Sequence, residues 1–188
     1  MLNNEIAKSL EILKEGGVIL YPTDTIWGLG CDATNELAVE KIFALKGRDS
    51  GKSMIILLDS DHKLPSYVSD VPEIAYDLIE YAENPLTIIY SKGKNLAKNA
   101  LAADGSIGIR IVRHEFCKKL IERFRKPIIS TSANFSGDPS PTNFRDIPES
   151  LIKSVDYVVN LDQDKTNQGK ASTIMKLDAG GQFTFIRR

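Results

Sequence analysis

The sequence predicts one α/β domain built on a mixed β-sheet with helices packed on it. Short apolar runs of strand length alternate with amphipathic helical segments along the whole chain, which is typical of this class. The 188 residues suit one domain, and a hydrophobic content of 42% is enough for a sizeable core. We therefore expect residues 1–188 to form a single domain with an open sheet.

The first third of the chain has clear start and stop signals. Residues 4–15 have apolar residues at helical spacing, and Gly16 and Gly17 end that helix. The apolar run 18–21 predicts a buried strand, which Pro22 ends because proline has no N–H to donate. Thr34 or Asn35 caps a second helix, and Gly47 ends it. Lys46 and Arg48 then lie where this helix enters a loop.

The rest of the chain alternates in the same way. We expect helices over 72–82 and around 116–124, and a connection with one helical turn over 91–105. Residues 128–129 lead into a serine-rich loop at 130–137, and residues 138–148 are irregular. The expected strands are 54–58, 86–90, 107–112, 157–160, 172–177 and 183–186.

Composition and residue spacing exclude several classes of protein. The formal net charge of −1 gives no overall basic field for nucleic acid or membrane. Cys31 and Cys117 have no CxxC spacing and lie in apolar surroundings, so we expect reduced, packed thiols. Neither His62 nor His114 has metal-ligand spacing. The N-terminus lacks signal-peptide features and no apolar run reaches membrane length, so we expect a cytoplasmic protein.

Polar side chains follow the predicted strands, which is where α/β folds bind ligands. Thr23, Asp24 and Thr25 come directly after the first strand. Cations and further hydroxyl or amide groups suit an anionic ligand with many oxygens, such as a nucleotide. These residues are Lys46, Arg48, Lys52, Arg110, Ser130, Ser132, Asn134, Ser136, Ser140 and Ser172. The sequence has no Walker A motif and no GxGxxG after a strand, and it gives little support for a Ser-His-Asp triad or paired carboxylates.

Three stretches, taken in order, resemble a known family. They are Tyr-Pro-Thr-Asp-Thr at 21–25, Lys-x-Arg at 46–48, and Ser-x-Ser-Ala-Asn-x-Ser-Gly at 130–137 followed by Pro-Ser-Pro-Thr at 139–142. This set is similar to the YrdC-like family, the L-threonylcarbamoyladenylate synthases. The resemblance implies a twisted open sheet with a large concave surface. It also implies that threonine, bicarbonate or carbon dioxide, and ATP form threonylcarbamoyl-AMP and pyrophosphate. The product serves N6-threonylcarbamoyladenosine modification of tRNA.

The resemblance also assigns roles to residues at matching positions. Thr25, Arg110, Ser130 and Ser172 are implied as threonine contacts. The implied ATP contacts are Arg48, Lys52, Ser106, Ser132, Ser140 and Arg187. Lys46, Arg48 and Asn134 belong to the catalytic signatures. Mg²⁺ is expected to accompany ATP, no metal held by the protein is expected, and proteins of tRNA threonylcarbamoyl transfer are the expected downstream partners.

Some alternatives stay open at this point. Lys46 and Arg48 also fit the role of cations that complement a helix C-terminus. Arg110 also fits an internal salt bridge, for example to Asp24. A module binding double-stranded RNA or tRNA, and a non-catalytic paralogue in ribosome or tRNA maturation, are the competing functions.

Departures from the family pattern affect the expected threonine end of the site. They are Asp49, Ser50, Ser53, Leu57 and Trp27. The sequence ends soon after Arg187, so we expect no additional C-terminal domain of the kind found in longer members of the family.

Overall fold

A computed structural model describes residues 1–47, 54–165 and 170–188. The helices are α1 (Leu2–Lys14), α2 (Glu36–Lys46), α3 (Leu64–Tyr67), α4 (Ile74–Glu80), α5 (Glu115–Phe124) and α6 (Glu149–Ile152). The strands are β1 (Ile19–Tyr21), β2 (Gly28–Gly30), β3 (Ile55–Leu58), β4 (Leu86–Tyr90), β5 (Ile107–Ile111), β6 (Ile128–Ser132), β7 (Tyr157–Val158), β8 (Thr173–Leu177) and β9 (Phe183–Arg187). Short 3₁₀ turns cover Asp61–Lys63, Lys98–Ala100 and Phe144–Asp146.

The strands form one nine-stranded mixed sheet in the order β7-β1-β2-β6-β3-β5-β4-β8-β9. Three neighbouring pairs are parallel: β1 with β7, β3 with β5, and β4 with β8. The other five pairs are antiparallel. The expected α/β fold with a mixed open sheet and flanking helices is confirmed.

Two apolar clusters cover the two faces of this sheet. The larger cluster packs α2, α3 and α4 against Ile56, Leu58 and Ile109. The smaller cluster packs α1 and α5 against Leu57 and Ile128, which alternate to the opposite face. Helices α1 and α5 therefore cover one end of this second face.

The rest of the second face is where polar side chains lie. Arg110 of β5 is opposite Thr87 of β4 and beside Leu57 of β3, so the three share a face. Ser130 follows Ile128 on this face by strand alternation. Gly108 adds no side chain here, and a Cβ at this position would come within 3.3 Å of Ile55 Cγ1. One part of this sheet face is therefore polar and open, and the part beside it is apolar and covered by helices.

Two element predictions needed correction. The glycines at 28 and 30 form strand β2, not a loop, and β6 continues through Ser132, where a serine-rich loop was expected. The reason is mutual pairing, since Gly28 is opposite Ser132 and each strand supplies the other's hydrogen-bond partners. A Cβ at Gly30 would come within 2.6 Å of Tyr21 Cε1, so glycine is required for this close approach.

Helix α2 illustrates how local sequence fixes an element that positions the site. The Asn35 side chain accepts hydrogen bonds from the backbone N–H groups of Leu37 and Ala38, as an N-cap does. Gly47 ends the helix in the left-handed conformation, with φ of 57°, which glycine adopts without strain. The helix therefore ends at Lys46, as the sequence predicts.

Candidate active site

A cavity of about 200 Å³ opens on the polar part of the sheet face. Strands β2, β3, β5 and β6, the loop before β2 and both ends of the β8–β9 hairpin contribute to it. The polar residues that line it are Thr25, Arg110, Ser130, Thr131, Ser132, Ser140, Ser172 and Arg187. All four predicted threonine contacts are thus brought together, from segments up to about 150 residues apart in sequence.

The side chain of Thr23 makes hydrogen bonds within the loop between β1 and β2. Its Oγ1 donates to the Ile26 carbonyl at 2.7 Å and accepts from the backbone N–H of Thr25 at 3.1 Å. The Thr23 and Thr25 hydroxyl oxygens lie 3.0 Å apart. Thr23 is buried beneath the loop, while Thr25 lines the cavity. Thr23 therefore positions the residue that is available to a ligand.

Arg110 is the main charged group of the cavity and is only 5% exposed. Its Nη2 lies 3.2 Å from Asp24 Oδ1, so the salt bridge considered from sequence is present. The approach lacks hydrogen-bond geometry, and Nε and Nη2 have no hydrogen-bond partner among the described residues. Asp24 Oδ2 meanwhile accepts from the backbone N–H of Arg113 at 3.0 Å. Arg110 lines the cavity, and two buried donors of its guanidinium have no hydrogen-bond acceptor among the described residues.

Ser172 and Arg187 also line the cavity, and they contact each other. Nε and Nη2 of Arg187 both donate to the Ser172 carbonyl, at 3.1 and 2.9 Å. The Ser172 hydroxyl lies 2.7 Å from Thr87 Oγ1. Partial burial and the nearby charge of Arg110 lower the pKa of Arg187. The cavity thus contains two neighbouring guanidinium groups, and such an arrangement favours an anionic ligand.

Lys46 and Asn134 lie behind the cavity wall. The Lys46 ammonium donates to the carbonyls of Ser132 and Asn134, at 2.5 and 2.6 Å, and the Lys46 carbonyl accepts from Ser136 N–H at 2.8 Å. Asn134 Nδ2 donates to the carbonyls of Phe135 and Asp138, at 2.9 and 2.8 Å. Both side chains therefore hold the loop after β6, and neither is among the residues that line the cavity.

Some of the predicted ATP contacts line the cavity and others do not. Ser132, Ser140 and Arg187 line the cavity. Ser106 lies in the turn before β5, where its N–H donates to Asp104 Oδ1 at 3.0 Å, and it is not a cavity-lining residue. Arg48 and Lys52, and the departures at Asp49, Ser50 and Ser53, lie outside the described residues.

Sequence reasoning missed Thr87, whereas Trp27, named as a departure from the family pattern at the expected threonine end, does line the cavity. Thr87 is fully buried in the middle of β4, where a polar residue inside an apolar strand was the available signal. Trp27 is fully buried too, with its ring centroid 4.9 Å from that of Phe144. This contact connects the loop before β2 to the irregular segment that carries Ser140.

These features define an α/β protein with a cavity on the open part of a mixed sheet, lined by two arginine and several hydroxyl side chains. A family model for Sua5, YciO and YrdC proteins, described as "Telomere recombination", matches residues 11–188. The chain belongs to this Sua5/YciO/YrdC family.

Individual relatives agree with this membership. A threonylcarbamoyl-AMP synthase of Pseudoalteromonas translucida is 34% identical over 158 residues, which cover 82% of this chain and 84% of the relative. YciO of Escherichia coli superposes with a TM-score of 0.85 at 25% identity, over 100% of this chain and 90% of that chain.

A longer relative has been solved with a ligand. Sua5 of Pyrococcus abyssi complexed with L-threonine superposes with a TM-score of 0.83 at 30% identity, over 92% of this chain. The match covers 50% of that protein, so the chain spans about half the length of this relative.

Proposed function

We propose that this chain is a threonylcarbamoyl-AMP synthase, which makes threonylcarbamoyl-AMP and pyrophosphate from L-threonine, bicarbonate or carbon dioxide, and ATP. The relatives that carry this enzyme name match most of the chain. We further propose that residues 1–188 work as one unit, that the reaction takes place in the cytoplasm, and that proteins of tRNA threonylcarbamoyl transfer receive the product. In the part of the chain that the structure describes, no helix has the length and apolar character needed to span a membrane.

The observation that carries the proposal is the unsatisfied edge of Arg110. Nε and Nη2 lie on one edge of the guanidinium plane, and that edge matches the two oxygens of a carboxylate. Buried donors of this kind are costly unless a partner satisfies them. An amino acid carboxylate supplies two acceptors and a compensating charge at once. Thr25, Ser130 and Ser172 line the same cavity as Arg110, and we propose them as further threonine contacts.

The proposed chemistry needs positioning more than acid–base groups. The threonine amine attacks carbon dioxide and loses a proton, which gives a carbamate. A carbamate oxygen then attacks the α-phosphorus of ATP and pyrophosphate leaves. The substrate is its own nucleophile, so the residues of the chain hold the groups in line and stabilise the developing charge. Asp24 is the carboxylate beside Arg110, and its oxygens already contact Arg110 and the Arg113 backbone.

The nucleotide end of the site is proposed from the cavity-lining residues Ser132, Ser140 and Arg187, together with Arg48, Lys52 and Ser106. Lys46 and Asn134 act indirectly. Lys46 donates to the carbonyl of Ser132 at the end of β6, and Asn134 donates to the Asp138 carbonyl in the loop that follows. Mg²⁺ enters with ATP, on its phosphates. The described residues include no group of three or more histidine, cysteine, aspartate or glutamate side chains placed to hold a metal ion.

One assay tests the proposed function. Purified protein with ATP, magnesium, threonine and bicarbonate is expected to release pyrophosphate and to form an acyl-adenylate. Release is expected to depend on both threonine and bicarbonate, and serine is expected to be a poor substrate. Pyrophosphate release that is absent, or that does not depend on threonine, would overturn the proposal in favour of the RNA-binding or non-catalytic alternatives. The net charge of −1 does not favour an RNA-binding module.

A further inference from the structure

Two hydroxyl pairs each join a residue that lines the cavity to one that does not. Ser172, at 3% exposed, pairs with Thr87, at 0%, and Thr25, at 6%, pairs with Thr23, at 3%. In each pair, one of the two hydroxyl protons forms the hydrogen bond between the two oxygens. The direction of that bond decides whether the wall hydroxyl offers a proton or a lone pair to a ligand.

In the Thr87–Ser172 pair, one of the two possible hydrogen-bond directions leaves no hydroxyl proton buried without an acceptor. Ser172 Oγ is the one hydrogen-bond partner that the described residues provide for Thr87 Oγ1, at 2.7 Å. If Ser172 donated, the Thr87 proton would be buried without an acceptor, which is unfavourable. Thr87 therefore donates, and the Ser172 proton is directed to the cavity. Ser172 then offers a donor on the same sheet face as Arg110, which lies opposite Thr87 in the β4–β5 register.

The Thr23–Thr25 pair has the opposite direction. The Thr23 proton is used on the Ile26 carbonyl at 2.7 Å, since a carbonyl can only accept. The 3.0 Å contact between the two hydroxyls therefore uses the Thr25 proton. Thr25 consequently presents only lone pairs to the cavity, and it suits a donor such as an ammonium group.

We propose that the buried residues Thr87 and Thr23 orient the amino acid substrate by fixing these two proton directions. Arg110 and the Ser172 hydroxyl donate hydrogen bonds to the carboxylate, and the ammonium group donates to the Thr25 hydroxyl oxygen. Thr87 and Thr23 are positioning residues, because they act through Ser172 and Thr25 without touching the ligand. The inference rests on the proposed function for the choice of threonine as the ligand.

The test compares Thr87→Val with its matched control Thr87→Ser. Valine keeps the shape of threonine and removes the hydroxyl, whereas serine keeps the hydroxyl. Binding of L-threonine and of threoninol, which lacks the carboxylate, is measured by titration calorimetry without turnover. Thr87→Val is expected to weaken threonine binding about tenfold or more and to leave threoninol binding nearly unchanged. Thr87→Ser is expected to bind both ligands as the parent protein does.

A second pair of variants tests the other end of the ligand. Thr23→Val, with Thr23→Ser as its control, is expected to weaken threonine and threoninol by the same factor, because both keep the amine. The inference is overturned if Thr87→Val also weakens the two ligands equally, or if it binds threonine like the parent. Because binding is measured without ATP, this result is separate from the pyrophosphate assay, whose failure would reject the synthase function itself.

Discussion

Arg110 shows how one residue can have a structural and a ligand-binding side. Its contact with Asp24 gives the buried guanidinium a counter-charge, and burial without one is very costly. The contact leaves Nε and Nη2 without hydrogen-bond acceptors in the described structure. The salt bridge and the carboxylate site, which sequence reasoning treated as alternatives, are therefore compatible.

Arg110→Lys is expected to raise the KM for threonine sharply and to leave the KM for ATP nearly unchanged. Lysine keeps the charge beside Asp24 but cannot offer two parallel donors to a carboxylate. Steady-state pyrophosphate release, with each substrate varied in turn, measures the effect, and the melting temperature reports on folding. Equal increases of both KM values, or loss of the folded state, would make Arg110 a structural residue instead.

The two cysteines are buried and free, as expected for packed thiols. Burial, followed by the nearby Asp32 charge, raises the pKa of Cys31 above its ordinary value of 9.0. Burial, followed by the nearby Asp24 charge, likewise raises the pKa of Cys117. The native thiols therefore stay protonated at a pH where the unfolded chain has begun to ionise. Each thiol contributes stability that is present below about pH 9 and is lost as the pH rises further.

Chemical denaturation at pH 7.5 and pH 10 tests this pH dependence. Between these values the free energy of unfolding of the parent protein is expected to fall by about 1.4 kcal/mol more than that of Cys31→Ala. Cys117→Ala should behave similarly, which makes it an independent repeat of the measurement. An identical pH dependence in the parent and both variants would show that the thiols ionise as easily in the native state as in the unfolded chain.

At the scale of elements, the end of α2 and the loop after β6 form one unit. Lys46 donates to the carbonyl of Ser132, the last residue of β6, and to that of Asn134 in the loop, and its own carbonyl accepts from Ser136 N–H. The sequence placed Lys46 correctly at a helix end. Its ammonium donates to the carbonyls of Ser132 and Asn134, 86 and 88 residues away, which sequence patterns did not indicate. Lys46 thus holds a cavity strand in place.

Lys46→Met is expected to lower the free energy of unfolding by about 2–4 kcal/mol, since it leaves buried carbonyls without a charged donor. Turnover is expected to fall as well, because Ser132 loses its support. Lys41→Met is the matched control on the same helix, where an exposed lysine donates to a single carbonyl, that of Gly16, at 2.9 Å. Denaturant unfolding of both variants gives the comparison, and equal losses would assign no special role to Lys46.

Local signals explain which elements the sequence could predict. The limits of α2 follow from Asn35 and Gly47, and β4 has the predicted bounds 86–90 because it is a continuous apolar run. Strand β2 could not be predicted, since glycine disfavours strands and this one forms through pairing with β1 on one side and β6 on the other. The site shows the same division. The resemblance to the family pointed to Thr25, Arg110, Ser130 and Ser172, whereas the role of Thr87 depends on its distance to a residue 85 positions away.

At the scale of the molecule, the sheet joins segments that are far apart in sequence. Strand β6 lies between β2 and β3 and pairs with both, so it joins the strands that form the cavity floor. Strand β1 lies between β2 and β7, so the first strand of the chain needs residues 157–158 to complete its pairing. The cavity is therefore a product of the whole sheet and not of any one supersecondary unit.

This strand order has a consequence for the newly made chain. Strand β2 ends at Gly30 and its partner β6 begins at Ile128, so on the ribosome β2 waits for about 100 further residues. At typical elongation rates that is roughly 5–20 s. During this time β1 and β2 form at most a lone hairpin, whose apolar side chains have no sheet to join. The β1–β2 segment is consequently made well before its sheet partner, so the cavity floor can be completed only after residues 128–132 have left the ribosome.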